Sequence, residues 1–139
     1  MPNTIVLRGD AWTAREDRCN AALTPGMLCD FAANDRLTTH ASAGGYAPRI
    51  FALEADYVGN TVTTAYVSGD RVPYADCSPG VIVWAHLASG QNVARNALLK
   101  SNGDGRLTAR GDNTSFVIAQ ADEDADASAD HLRFRARVM

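Results

Sequence analysis

The sequence predicts a mainly β fold. We expect a single compact domain of β-barrel or β-sandwich type, with a short helix or acidic turn and an extended N-terminal arm. Three observations carry this. From Ser68 onward, short apolar runs alternate with turn signals: Ser68-Gly69-Asp70, Ser78-Pro79-Gly80, Ala88-Ser89-Gly90 and Asn102-Gly103-Asp104-Gly105. Strands this short, at this spacing, suit a barrel or sandwich better than a nucleotide-binding α/β fold. The C-terminal segment alternates strictly, Leu132, Phe134, Ala136 and Val138 against His131, Arg133, Arg135 and Arg137, which puts an apolar set and a basic set on opposite faces of a strand.

Residues 3 to 8 read as a first strand or extended arm. Residues 9 to 22 are polar without a clean period and read as loop or weak arm, so residues 1–22 form the arm and 23–139 the β domain. Thr24-Pro25-Gly26 is a turn, since Pro presets φ and Gly tolerates positive φ. It launches the apolar run Met27 to Phe31. Residues 35 to 45 are polar and end in the Ala43-Gly44-Gly45 turn. Ile50 to Leu53 is a buried-strand candidate, and residues 54 to 60 form a loop. Thr61 to Val67 is rich in Thr, Val and Tyr, which suit a pleated surface. Val81 to Leu87 is the strongest core strand. Asn102 to Gly105 closes a hairpin between Leu98-Leu99 and Leu107, its glycines supplying positive φ. Phe116 to Ala119 reads as a buried strand, and Ala121 to Asp130 as an acidic loop or one short helix.

The 139 residues suffice for one domain with a real core. A formal net charge of -3 argues against general affinity for nucleic acid backbone. No apolar run approaches the roughly 20 residues that cross a bilayer. The N-terminus lacks a basic stretch followed by a long apolar one, so we expect synthesis and folding in a cytoplasm. Cys19, Cys29 and Cys77 are an odd set with no CxxC pair, which fits free thiols.

The motifs that suggest chemistry each have a plainer account. Asp122, Asp124 and Asp126 have the opening spacing of an EF-hand loop. Ala127 replaces its glycine, however, and Arg133 falls where the last ligand belongs, so no metal site is assigned. His40, His86 and His131 are scattered and lack zinc-ligand spacing. His86 shares a strand face with Trp84 and reads as a satisfied core or interface histidine. No Gly-x-Ser-x-Gly elbow supports a hydrolase triad. Arg8-Gly9-Asp10 and Arg110-Gly111-Asp112 repeat an integrin-type tripeptide but read as Gly-Asp turns beside a surface arginine.

Taken in order, the segments Leu23-Thr24-Pro25-Gly26-Met27-Leu28, Pro48 to Glu54, Tyr66 to Tyr74, Leu87 to Val93, Leu98 to Leu107 and Val117 to Ala121 resemble the capsid decoration, or head cement, proteins of tailed bacteriophages. The resemblance spans roughly residues 23 to 139. It departs at Ala94-Arg95-Asn96-Ala97, where similar proteins tend to have a Gly-Asp turn. Asn also visits left-handed conformations, so a turn at Asn96 is expected.

The resemblance implies a structural, non-enzymatic role without a cofactor. It implies a virion protein on the outer surface of the expanded head, made in the host cytoplasm. Its partners would be the phage major capsid protein and itself, as a homotrimer at three-fold or quasi-three-fold positions. It would clamp neighbouring capsid subunits against DNA pressure, with no nucleic acid or membrane partner. The contact candidates are Ile5, Leu7, Arg8 and Trp12 on an arm that adds a strand to a neighbour's sheet edge, and Arg133, Arg135 and Arg137 facing acidic capsid surface. Two other classes compete. A trimeric all-β nucleotide hydrolase would use Ser68-Gly69-Asp70 or Ser89-Gly90-Gln91 on phosphate. A carbohydrate- or host-surface-binding β module is disfavoured by the 7% aromatic content.

Overall fold

The computed structural model describes residues 2–139. Thirteen strands carry the fold. They are β1 (Val6–Arg8), β2 (Trp12–Arg18), β3 (Cys29–Phe31), β4 (Leu37–Thr39), β5 (Ile50–Ala52), β6 (Arg71–Cys77), β7 (Ile82–Leu87), β8 (Asn92–Val93), β9 (Leu98–Ser101), β10 (Leu107–Ala109), β11 (Ala119–Ala121), β12 (Ala125–Asp126) and β13 (Leu132–Val138). Among the described residues there is no α-helix, only a 3-10 turn at Asp56–Val58.

The centre is a closed five-stranded barrel in the order β7-β10-β9-β11-β13, with β13 pairing back to β7. Closure removes the open edges that a flat sheet would leave. β1 adds to the outside of this ring through β7, with a bulge between Val6 and Arg8. A five-stranded barrel has a narrow interior. The sequence meets that limit with Ala85, Ala119, Ala121 and Ala136 beside Leu87, Leu99, Leu107 and Phe134. The strict alternation of β13 is realised: Phe134, Ala136 and Val138 are buried, and Arg135 and Arg137 are exposed.

A second sheet, β2-β6-β5, lies against the barrel. Its central strand β6 and its edge strand β5 bury side chains on both faces. Phe51, Ala75 and Cys77 join the barrel core. Ile50, Ala52, Val72 and Tyr74 face a second core with Cys19, Leu23, Cys29, Leu37 and Tyr66, capped by the β3–β4 hairpin. Period-two alternation along β5 and β6 therefore serves two cores at once. The three cysteines are free and buried. Burial pushes the Cys29 and Cys77 thiols up to about 12, so both stay protonated and unreactive.

The structure refines the sequence reading element by element. Residues 12–18, read as loop or weak arm, form β2, which runs antiparallel to β6 from Trp12↔Cys77 to Arg18↔Arg71. The N-terminal segment lies within the two sheets, through β1 and β2. The polar stretch 35–45 contains β4. Thr61 to Val67 is not a strand; Tyr66 alone makes a bridge, to Leu23, because the Thr61, Thr63 and Thr64 hydroxyls satisfy their own turn. Pairing in β11 starts at Ala119, and Phe116 is exposed. Of the two readings for 121–130, loop or short helix, the structure has the loop, except that Ala121 ends β11 and Ala125 and Asp126 pair with β8. The turns hold. Gly26, Gly103 and Asn96 all have positive φ, +92°, +89° and +75°.

Candidate interaction surface

The N-terminal candidates are spread between core and surface. Ile5 is 0% exposed. Its N–H donates to Glu54 Oε2 at 3.0 Å and its carbonyl accepts from Trp84 N–H at 2.7 Å. Ile5 is thus a core residue, and its side chain is not presented to a partner. Leu7 is half-buried and Arg8 exposed. Trp12 is half-buried and packs against the barrel core. β7 and β6 already occupy one edge each of β1 and β2.

The arginine stripe of β13 divides. Arg133 is half-buried, and its Nη2 donates to the Val62 carbonyl. Its Nη1 is buried without a partner. Burial disfavours its charged form and lowers its pKa. Arg135 and Arg137 are exposed but turn to the chain's own acids. Asp122 meets Arg95 at 3.5 Å, Arg137 at 3.6 Å and Arg135 at 3.8 Å. Glu123 meets Arg135 at 3.7 Å. The acidic run 122–124 is therefore the counter-charge of the basic stripe, because β11 leads Asp122 directly beside β13. The EF-hand-like carboxylates do not converge. Asp122 takes the arginines, Asp124 accepts from Arg95 N–H, and Asp126 accepts from Ser128.

The other motifs also fold inward. Asp112 accepts from Ser115 N–H at 2.7 Å, Thr114 N–H at 3.0 Å and Lys100 Nζ at 2.9 Å. Those donors, led by the Ser115 backbone, hold its carboxyl well below the usual carboxylate range. Arg110 Nε donates to the Ser115 carbonyl, so this Arg-Gly-Asp is a self-capped turn. Asp70 accepts from Val67 N–H within its own loop, and Gln91 from Ala109 N–H on β10; the polar side chains of both Ser-Gly loops are thus engaged by the chain's own backbone. His40 and Ser101 form a buried bridge between the β3–β4 hairpin region and the barrel. His40 Nε2–H donates to the Tyr46 carbonyl at 2.8 Å, leaving Nδ1 to accept from Ser101 Oγ–H at 2.6 Å. Ser101 is fully buried, which makes the pair a strut between layers.

Sequence reasoning missed one surface. Tyr46 is 67% exposed and Phe116 52%, and their rings meet edge to face at 5.7 Å. Arg49 lies 5.8 Å from the Tyr46 ring and donates to the Ala47, Val117 and Met139 carbonyls. One guanidinium thus ties the 46–49 loop, the 115–118 segment and the C-terminus under two exposed aromatics. Tyr, Phe and Arg are the residue types enriched at protein interfaces. The only sequence signal was Arg49 following Ala47-Pro48, which by itself is weak.

The fold is similar to that of the head fiber gp8.5 N base in bacteriophage phi29. The TM-score is 0.61 at 12% sequence identity, and the match covers 92% of this chain and 94% of that one. At this identity the likeness is one of fold. No family model matches the chain, and no curated protein matches its sequence.

Proposed function

We propose that this protein is a structural component of a tailed-phage head, carried on the outer surface of the expanded shell, where it binds the major capsid protein and reinforces it without catalysis. The observation that carries the reading is the fold likeness to the phi29 head fiber base over nearly the full length of both chains. The ordered turn motifs of residues 23 to 139, which resemble capsid decoration proteins, point the same way. We assign the contact to the N-terminal segment, through exposed Arg8 and the uncovered parts of half-buried Leu7 and Trp12, and to the Tyr46–Phe116 pair. Arg135 and Arg137 contribute less, because Asp122 and Glu123 already balance them and exposed ion pairs are worth at most about 1 kcal/mol.

A homotrimer at three-fold positions would touch several capsid subunits at once, so that weak contacts act together. Co-sedimentation with undecorated expanded heads of the parent phage, with unexpanded heads as control, tests the reading. We expect saturable binding to expanded heads alone. Absence of binding at micromolar protein would overturn it. Sedimentation equilibrium of the free protein tests the trimer separately.

A further inference from the structure

We propose that His86 is an acid-sensitive latch that holds the Thr24–Met27 turn on the outer face of the barrel. His86 stands on β7 and is 4% exposed. Its Nε2–H donates to the Pro25 carbonyl at 2.9 Å. Its Nδ1 is buried and has no hydrogen-bond partner, which suits a bare lone pair and not an N–H. The turn it holds is tightly seated. A Cβ built on Gly26 would stand 2.5 Å from the Trp84 carbonyl oxygen and 3.3 Å from the His86 ring. From the same turn, Gly26 N–H donates to the Ala52 carbonyl and Ala52 N–H to the Met27 carbonyl, so the turn clips β5 to the barrel.

Protonation places a second N–H on His86 where no acceptor waits, and a charge where no carboxylate offsets it. The groups facing the ring are cationic or neutral. From β13, Arg133 pairs directly across from it, and the His131 ring lies 6.0 Å away. From the turn before β10, Arg106 adds a repulsive field. The Pro25 loop supplies only its carbonyl. The acids beside His131 and Arg106 are engaged with those neighbours: Asp130 with His131 at 3.2 Å, and Asp104 with Asn102 and the Arg106 backbone N–H. Among the described residues, no ion pair to His86 forms. Burial is the main cause that depresses its pKa, from 6.5 to about 4. The sign follows. A base that is harder to protonate when folded gives full stability above about pH 6.5, and that stability falls as the pH drops through the 6.5-to-4 window. The charged ring is accommodated once the turn lifts.

Hydrogen exchange of the full-length protein at pH 7.0 and pH 4.5, corrected for intrinsic rates, tests this. We expect the opening constants of the Gly26 and Ala52 amides to rise on the order of 50- to 100-fold at pH 4.5. The Trp84 and Val138 amides of the barrel should stay protected. His86→Gln retains a donor for the Pro25 carbonyl but does not titrate, and its turn amides should lose their pH dependence. Three outcomes overturn the proposal: turn amides that stay protected in the wild type, loss that spreads equally through the barrel, or the same acid response in His86→Gln. Should the variant not fold, NMR titration of the wild-type His86 ring decides instead. A midpoint well below that of a free imidazole, coincident with loss of turn protection, supports the latch. A midpoint at or above the free value overturns it.

Discussion

Gly26 shows how one position serves both turn and interface. Its φ is +92°, and the barrel backbone stands where a side chain would go. Gly80 has a similar φ, +98°, but open space around it. The pair separates two effects. Gly80→Ala should cost only the left-handed conformation, about 1–2 kcal/mol. Gly26→Ala adds a collision with the Trp84 carbonyl, and we expect a loss of about 2–4 kcal/mol. Urea melts of both variants give the comparison; equal losses would mean the turn is not seated on the barrel. Turn residues were legible in the sequence because one of their requirements is local: Gly26, Gly103 and Asn96 all adopt a positive φ. Phe116 was misread for the opposite reason. Its apolar neighbours Val117 and Ile118 suggest a buried run, but only tertiary contacts decide that Ile118 is inside and Phe116 outside. Arg133, Arg135 and Arg137 look alike in sequence, yet the 61–64 turn covers one and leaves the other two to Asp122.

Among the elements, β2 was the least legible and is the most instructive. Thr13-Ala14-Arg15-Glu16-Asp17-Arg18 has no apolar alternation because this edge strand is largely exposed. Its pairing comes from β6, not from its own propensity. Ser78 N–H donates to the Ala11 carbonyl, and Cys19 N–H to the Asp70 carbonyl. With the Trp12↔Cys77 register, this alternation directs the backbone groups of residues 13, 15 and 17 toward β6 and those of 14 and 16 outward. Proline scanning reads the same pattern. Ala14→Pro removes an outward N–H and should be tolerated, as at natural sheet edges. Arg15→Pro removes the bond to Tyr74 and leaves a carbonyl unsatisfied, at about 1–3 kcal/mol more. Circular dichroism melts check it, and the reverse order of stability would shift the register by one. β13 was legible because its two faces meet different surroundings, barrel core and charged surface, so the pattern is written in the residues.

On the scale of the whole molecule, the barrel and the second core are not independent units. β5 and β6 give one face to each. Phe51 and Ala75 are in the barrel core, and Ile50, Ala52 and Tyr74 are in the other. No sequence pattern announces two cores, because a strand buried on both faces reads simply as apolar. Sharing strands couples the cores, since unpacking either face frees the strand from both. Loss of a side chain from one core should therefore weaken the entire fold. Leu99 is fully buried in the barrel core and Leu37 in the second. Leu99→Ala and Leu37→Ala should each cost about 2–5 kcal/mol and should lower one shared transition at neutral pH. Far-ultraviolet circular dichroism and tryptophan fluorescence should give coincident midpoints in both variants. A Leu37→Ala melt in two steps, with the barrel surviving the first, would show that the second core folds as a separate layer. In that case the shared strands would not transmit the loss from one core to the other.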